Sequence, residues 1–296
     1  MNSSSNPIEA FSLQKALELA YAAKRAYDEA PAIRSHHLSA GFSQCDVLTC
    51  SGSQVFIASD PERVLISFRG TQATFGQWLR NLQVYPSSHP LGSVHGGFSD
   101  ALDEVWQNLL VAFDLHGVPS KPVCLTGHSL GAAEAALCAA RMHSEGIAER
   151  IECLYTFGQP RLAGSEFQAA FDPIFRSRFY RFVNQWDIVP RVPPGYRHVG
   201  TPKRITSEGT LEMAGPLAVL FGSDEGGGEL LEADQAPLSE EQFDLLKEYI
   251  EAIPPVSEAK LSAPLADELV EEGVLDFATD HFMDAYIDEL QKLIVA

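Results

Sequence analysis

Apolar residues recur along the chain at two periods. Ile8, Phe11, Leu13, Ala16, Leu17, Ala20 and Tyr21 repeat at helical spacing, which predicts a helix over residues 8–29 that ends before Pro31. Residues 55–58 and 63–68 are short runs rich in Val, Ile, Leu and Phe, split by Ser59-Asp60-Pro61, and read as two strands. Further strands are predicted at 122–126, 151–157 and 178–184, and helices at 98–115, 130–143 and 165–171. From residue 63 onward strands and helices alternate. That order predicts an α/β fold with a central, mostly parallel sheet flanked by helices. Near the C-terminus, Ser239 and Gln242 have capping-box spacing ahead of Phe243, Leu246, Tyr249, Ile250 and Ile253. A last helix over 280–294 carries Phe282, Tyr286, Leu290 and Ile294 on one side.

The chain has 296 residues, of which 45% are hydrophobic, enough to bury a core. No uninterrupted apolar run reaches about 18 residues, so no integral membrane helix is expected. The net charge is −19. Residues 201–296 hold 22 acidic and 5 basic residues, so nearly all of the imbalance lies in the last third. Such a chain is not expected to bind nucleic acid, which requires a basic surface. The five cysteines form no CxxC pair and read as free thiols. The N-terminus lacks a basic segment followed by an apolar one, so a cytoplasmic location, or export without a classical signal peptide, is expected.

The strongest chemical signal is Gly127-His128-Ser129-Leu130-Gly131, a G-x-S-x-G pentapeptide between a predicted strand and a predicted helix. A sharp strand-to-helix turn exposes a serine hydroxyl above the sheet, and flanking glycines let the backbone turn that tightly. Ser129 is therefore the candidate nucleophile, and the backbone N–H of Leu130 the first oxyanion donor.

Five segments in order resemble the fungal-type, class 3 triacylglycerol lipases of the α/β-hydrolase fold. They are Phe68-Arg69-Gly70-Thr71, His95-Gly96-Gly97-Phe98, Gly127–Gly131, Thr156-Phe157-Gly158-Gln159-Pro160-Arg161 and Asn184-Gln185-Trp186-Asp187-Ile188-Val189-Pro190. The resemblance covers roughly residues 55–200 and a short piece near His281. It implies one hydrolase domain over 1–296, with an acidic insertion at about 203–275 that loops away from the sheet. It also implies serine-dependent hydrolysis of carboxylic esters through an acyl-enzyme, with long-chain acyl lipids at a lipid–water interface as the expected substrates. No metal or organic cofactor is expected. A short-chain, feruloyl or phospholipid esterase is the near alternative, and an inactive partner-binding module the distant one.

A serine nucleophile needs a base, and the base an acidic partner. In this fold the chain order is Ser, acid, His. Asp187, in a loop after the strand ending at Asn184, matches the family's acid. Chain order leaves His198 and His281 as bases; His281, after Asp280 and at a helix start, is preferred. By resemblance, Thr71 supplies the second oxyanion donor. The segment at about 74–86 follows it, with Phe75, Trp78, Leu79 and Leu82 on one helical face. In the family this place holds a lid, so these four residues are expected to cover the site and meet lipid. The acidic, glycine-rich run Asp224–Glu229 offers oxygen ligands suited to a hard cation such as Ca²⁺ but lacks the EF-hand pattern, and a solvated loop is the preferred reading.

Overall fold

The structure, a computed structural model, describes residues 11–71, 84–185, 187–205, 230–231, 236–252 and 281–295. Its elements run α1 (Leu13–Arg25), α2 (Ala30–Ser39), β1 (Gln44–Cys50), β2 (Ser53–Ser59), β3 (Val64–Phe68), β4 (Pro86–His89), β5 (Gly92–His95) and α3 (Gly96–His116). They continue with β6 (Val123–His128), α4 (Leu130–Ser144), β7 (Ile151–Phe157), α5 (Ser165–Phe175), β8 (Phe179–Asn184), β9 (Thr201–Ile205), β10 (Leu230–Leu231), α6 (Glu240–Ala252) and α7 (Met283–Val295).

The main sheet is ordered β1-β2-β3-β6-β7-β8-β9-β10. The five strands from β3 to β9 are parallel, and antiparallel strands close both edges. Alternation along β2 splits the core in two. Val55 and Ile57 join α3, α4 and α5 on one face, while Phe56 and Ala58 join α1 and α7 on the other. Two buried faces explain why these strands read as near-continuous apolar runs. No described helix is long and apolar enough to cross a membrane.

The first predicted helix is shorter than its periodicity suggests. Among the described residues α1 ends at Arg25, and Pro31 opens α2 rather than only stopping α1. Proline fits the first helical turn because the N–H it lacks has no partner there anyway. β1 escaped the hydrophobic pattern because, as an edge strand, it is only partly buried. The β4–β5 hairpin is short and polar, with the sequences Pro-Ser-Ser-His and Gly-Ser-Val-His.

Of the expected acidic insertion, residues 203–205, 230–231 and 236–252 are described, and these pieces pack on the sheet and the core. β9 runs to Ile205, and Leu230 and Leu231 pair antiparallel with Ile205 and Arg204. Leu238, Phe243 and Leu246 are buried in the core on the α3/α4 face. The physical reason is apolar: these three side chains remove more hydrocarbon from water against the core than they would as a solvated excursion. The capping box at the head of α6 is reciprocal. Ser239 N–H donates to Gln242 Oε1 at 3.0 Å, and Gln242 N–H to Ser239 Oγ at 3.1 Å. The Asp224–Glu229 run lies outside the described residues.

Leu246→Ala is expected to lower unfolding free energy by about 2–5 kcal/mol, the range for truncating a buried leucine. An unchanged denaturation midpoint would detach α6 from the core.

Candidate active site

Ser129 lies between β6 and α4 with φ 56° and ψ −126°, in a region that non-glycine residues rarely occupy. Such strain costs about 1–3 kcal/mol and persists only where the surroundings enforce it. Here the flanking glycines do so. A Cβ on Gly127 would stand 2.2 Å from the Gly131 carbonyl oxygen, and one on Gly131 would stand 2.3 Å from the Phe68 carbonyl oxygen. The start of α4 is thus pressed against β3 and β6, which only glycine allows. Ser129 N–H donates to the Phe157 carbonyl of β7 at 3.0 Å.

Asp187 is fully buried after β8. Its Oδ1 accepts the Val189 N–H at 2.9 Å, and its Oδ2 accepts the Tyr286 hydroxyl at 2.6 Å. His281 Nδ1 stands 2.9 Å from Oδ2 and 3.0 Å from Oδ1. A carboxylate only accepts, so Nδ1 carries the proton and Nε2 is the basic nitrogen. The Tyr286 oxygen in turn accepts the Asn184 N–H at 3.0 Å. Gly158 backs the pair: its Cβ would fall 2.8 Å from Asp187 Oδ2 and His281 Nδ1. Gly158 directly follows Phe157, whose carbonyl holds the Ser129 N–H, so the elbow and the Asp–His pair are adjacent.

The segment Arg69–Thr71 leaves β3 beside the elbow. Arg69 N–H donates to the Gln54 carbonyl at 2.9 Å, and the Arg69 guanidinium to the Gly52 carbonyl at 2.6 Å. A Cβ on Gly70 would come 3.1 Å from Ser129 Cβ, so this backbone passes against the candidate nucleophile. The Thr71 hydroxyl oxygen is buried without a hydrogen-bond partner. Leu130 opens α4, whose first-turn N–H groups and dipole favour negative charge at this point.

Behind this loop, Glu134 on α4 is buried with neither carboxylate oxygen hydrogen-bonded. Burial, with Glu104 adding and Arg69 opposing, pushes its carboxyl up from 4.5 to about 8.

His198, the other base that chain order permits, is turned to a different task. Its Nε2 donates to the Pro190 carbonyl at 2.6 Å. His95 stacks on Phe98 at 4.0 Å, and burial lowers it to about 4. A second Ser–His–Asp alignment exists: Ser59 Oγ is 2.9 Å from His116 Nδ1, whose Nε2 is 3.0 Å from Asp46. It is inverted for catalysis. Ser59 is buried in a regular strand, whereas the Asp46 side chain is half exposed. Phe75, Trp78, Leu79 and Leu82 lie outside the described residues. Cys124, Glu152 and Cys153 place ligand atoms within 4.8 Å of one another, but near Lys15 and Arg63, whose charge opposes a cation. All five cysteines are free thiols.

Tyr286, Tyr27, Gly158 and the contacts of His128 were not identified from the sequence as parts of the site. Tyr286 was visible only as an apolar member of a helical stripe.

The profile of the class 3 lipases, described as Lipase (class 3), matches residues 65–197. The chain is 40% identical over 159 residues to a lipase of Rhizomucor miehei, covering 50% of this chain and 43% of that protein. It is 34% identical over 160 residues to secreted mono- and diacylglycerol lipase 1 of Fusarium solani, covering 51% and 46%. Its aligned part spans about half the length of these relatives. A solved triacylglycerol lipase, whose catalytic centre is described as a serine protease triad, superposes with a TM-score of 0.54 at 26% identity, covering 68% of this chain and 83% of that one.

Tyr286→Phe removes a donor to a buried carboxylate and an acceptor from the Asn184 N–H. It is expected to cost about 1.5–3 kcal/mol in denaturant unfolding; no loss would mean that Asp187 is held without it. Glu134 sets a pH dependence. The unfolded chain releases this proton near 4.5 and the folded chain keeps it to about 8, so stability falls as pH rises between them. Glu134→Gln is expected to raise the melting temperature at about pH 9 and change it little at about pH 5. A gain of equal size at both would show that Glu134 does not titrate in this window.

Proposed function

We propose that this chain, whose residues 65–197 match the class 3 lipase family, is a serine carboxylic-ester hydrolase acting on long-chain acyl lipids such as triacylglycerols at a lipid–water interface. Ser129 Oγ attacks the ester carbonyl while His281 Nε2 takes its proton. Asp187 holds the Nδ1–H tautomer and stabilises the imidazolium that forms. The N–H groups of Leu130 and Thr71 receive the oxyanion, each such donor being worth about 3–4 kcal/mol in other enzymes. His281 then protonates the leaving alcohol, and water, deprotonated by the same nitrogen, releases the acid from the acyl-serine.

The observation that supports this reading most is the Asp187–His281 hydrogen bond. Residues 94 positions apart meet next to a strained serine, in the chain order that the hydrolase chemistry requires. The whole chain is proposed to act as one hydrolase domain, since apolar residues of its acidic third lie in the core.

Hydrolysis of short- and long-acyl esters across their solubility limit tests the activity and its substrate class together. Ser129→Ala should lose activity by about 10⁴-fold or more. A wild-type rate that jumps when long-chain substrate forms droplets supports a lipase; a rate confined to dissolved short esters would make it another esterase. His281→Ala should also be nearly inactive, whereas His198→Ala should retain kcat in whatever fraction folds. The opposite pattern would overturn the assignment of the base.

A further inference from the structure

His128 precedes the nucleophile, yet its buried ring is turned toward the base. Its Nε2 lies 2.6 Å from the backbone carbonyl of His281, and the two rings are 4.6 Å apart. Its Nδ1 lies 2.7 Å from the Tyr27 hydroxyl. A carbonyl only accepts, so Nε2 must carry the proton. Burial, reinforced by the neighbouring His281, holds this imidazole well below its ordinary pKa and therefore neutral. Nδ1 is then bare and accepts the Tyr27 O–H. The Tyr27 oxygen also packs against the Gly70 backbone.

The bonds form one directed chain, Tyr27 O–H to His128 Nδ1 and His128 Nε2–H to His281 carbonyl, with the Tyr27 oxygen packed against Gly70. Its ends sit on the loop proposed to hold the oxyanion and on the backbone of the proposed base, and its middle on the elbow. Tyr27 is itself fixed. Its N–H donates to the Lys24 carbonyl, and the Gln54 amide bridges the Ala26 and Asp28 carbonyls on either side of it. The fit leaves no slack at Gly70, where a Cβ would stand 2.0 Å from the Tyr27 oxygen.

We propose that His128 and Tyr27 are positioning residues, a hydrogen-bonded strut that holds the His281 backbone and the Gly70 backbone in register with Ser129. The strut touches no reacting atom. Asp187 and Tyr286 orient the base from its ring side; the strut sets where its main chain lies. This rests on the reading of Ser129, His281 and Asp187 as the catalytic set. Misplacing a catalytic group by about 1 Å can cost about 10²-fold in rate.

The test uses the full chain with His128→Ala, His128→Gln, Tyr27→Phe and the double variant Tyr27→Phe/His128→Ala. Kinetics on a dissolved short-chain ester are combined with proton NMR of the His281 Nδ1–H shared with Asp187. His128→Ala and Tyr27→Phe should each lower kcat, by roughly 10–100-fold for His128→Ala and less for Tyr27→Phe, with KM within about twofold. The Nδ1–H resonance should shift or broaden in both. His128→Gln, which keeps an N–H for the carbonyl, should recover part of the rate. Adding Tyr27→Phe to His128→Ala should cost little more, because the two act through one chain of bonds. Variants that melt earlier but keep wild-type kcat and an unchanged resonance at a permissive temperature would overturn the proposal. Tyr27→Phe removes one oxygen and keeps the test available should His128→Ala fail to fold. If wild type itself hydrolyses no ester, the catalytic reading fails, and an unmoved resonance in Tyr27→Phe would still reject the strut separately.

Discussion

A carboxylate with no exposure to water must have its charge met by the protein. At Asp187 that requirement organises the molecule. Three donors answer it: the Val189 N–H from its own loop, the Tyr286 hydroxyl from α7 and the His281 ring just ahead of α7. Two of them come from the last 16 residues of the chain. The C-terminal helix is therefore docked by its apolar face against α1 and by its polar groups onto one acid at the end of β8. Losing one donor leaves the charge underpaired in a dry site, which costs more than the bond itself contributes.

The elbow answers a steric constraint in the same compact region. Ser129 is held at positive φ because α4 starts in contact with two strands, and the two glycines make that contact possible. Ser129 N–H binds β7, Gly158 follows on β7, and Gly158 lies against both Asp187 and His281. Ser129 and His281, the proposed nucleophile and base, are thus referred to one strand end rather than to two independent loops. Parallel strands make this natural, since β3, β6, β7 and β8 deliver their C-terminal ends to the same edge of the sheet.

The acidic third of the chain combines two characters. Its composition is strongly acidic, but Leu238, Phe243 and Leu246 are core residues, and Ile205, Leu230 and Leu231 belong to a strand pair at the sheet edge. Net charge describes the outer surface of such a segment and says little about its inner one. That is why composition separated it from the remainder of the chain while packing joins it to the core.

Much was legible in the residues themselves. Runs of apolar residues marked the inner strands, because both faces of those strands are buried. The Gly127–Gly131 pentapeptide marked the elbow, because only glycine tolerates the approaches of 2.2 and 2.3 Å found there. Ser239 and Gln242 marked a helix start, because a capping box is local chemistry. These signals act within a few residues, so the sequence alone determined them. Other features depend on atoms far apart in the chain. Edge strand β1 and hairpin β4–β5 bury too little to leave a period. Tyr286 reads as one more member of an apolar stripe until the fold brings its hydroxyl to Asp187, 99 residues away. His128 and Tyr27 meet across 101 residues, and His128 reaches the His281 carbonyl across 153. Chain order left His198 and His281 as candidate bases, and the position after Asp280 at a helix start favoured His281; the tertiary structure places His281 against Asp187 and His198 against the Pro190 carbonyl. Hydrogen bonds form between atoms in contact, and at these separations contact is decided by packing rather than by spacing along the chain.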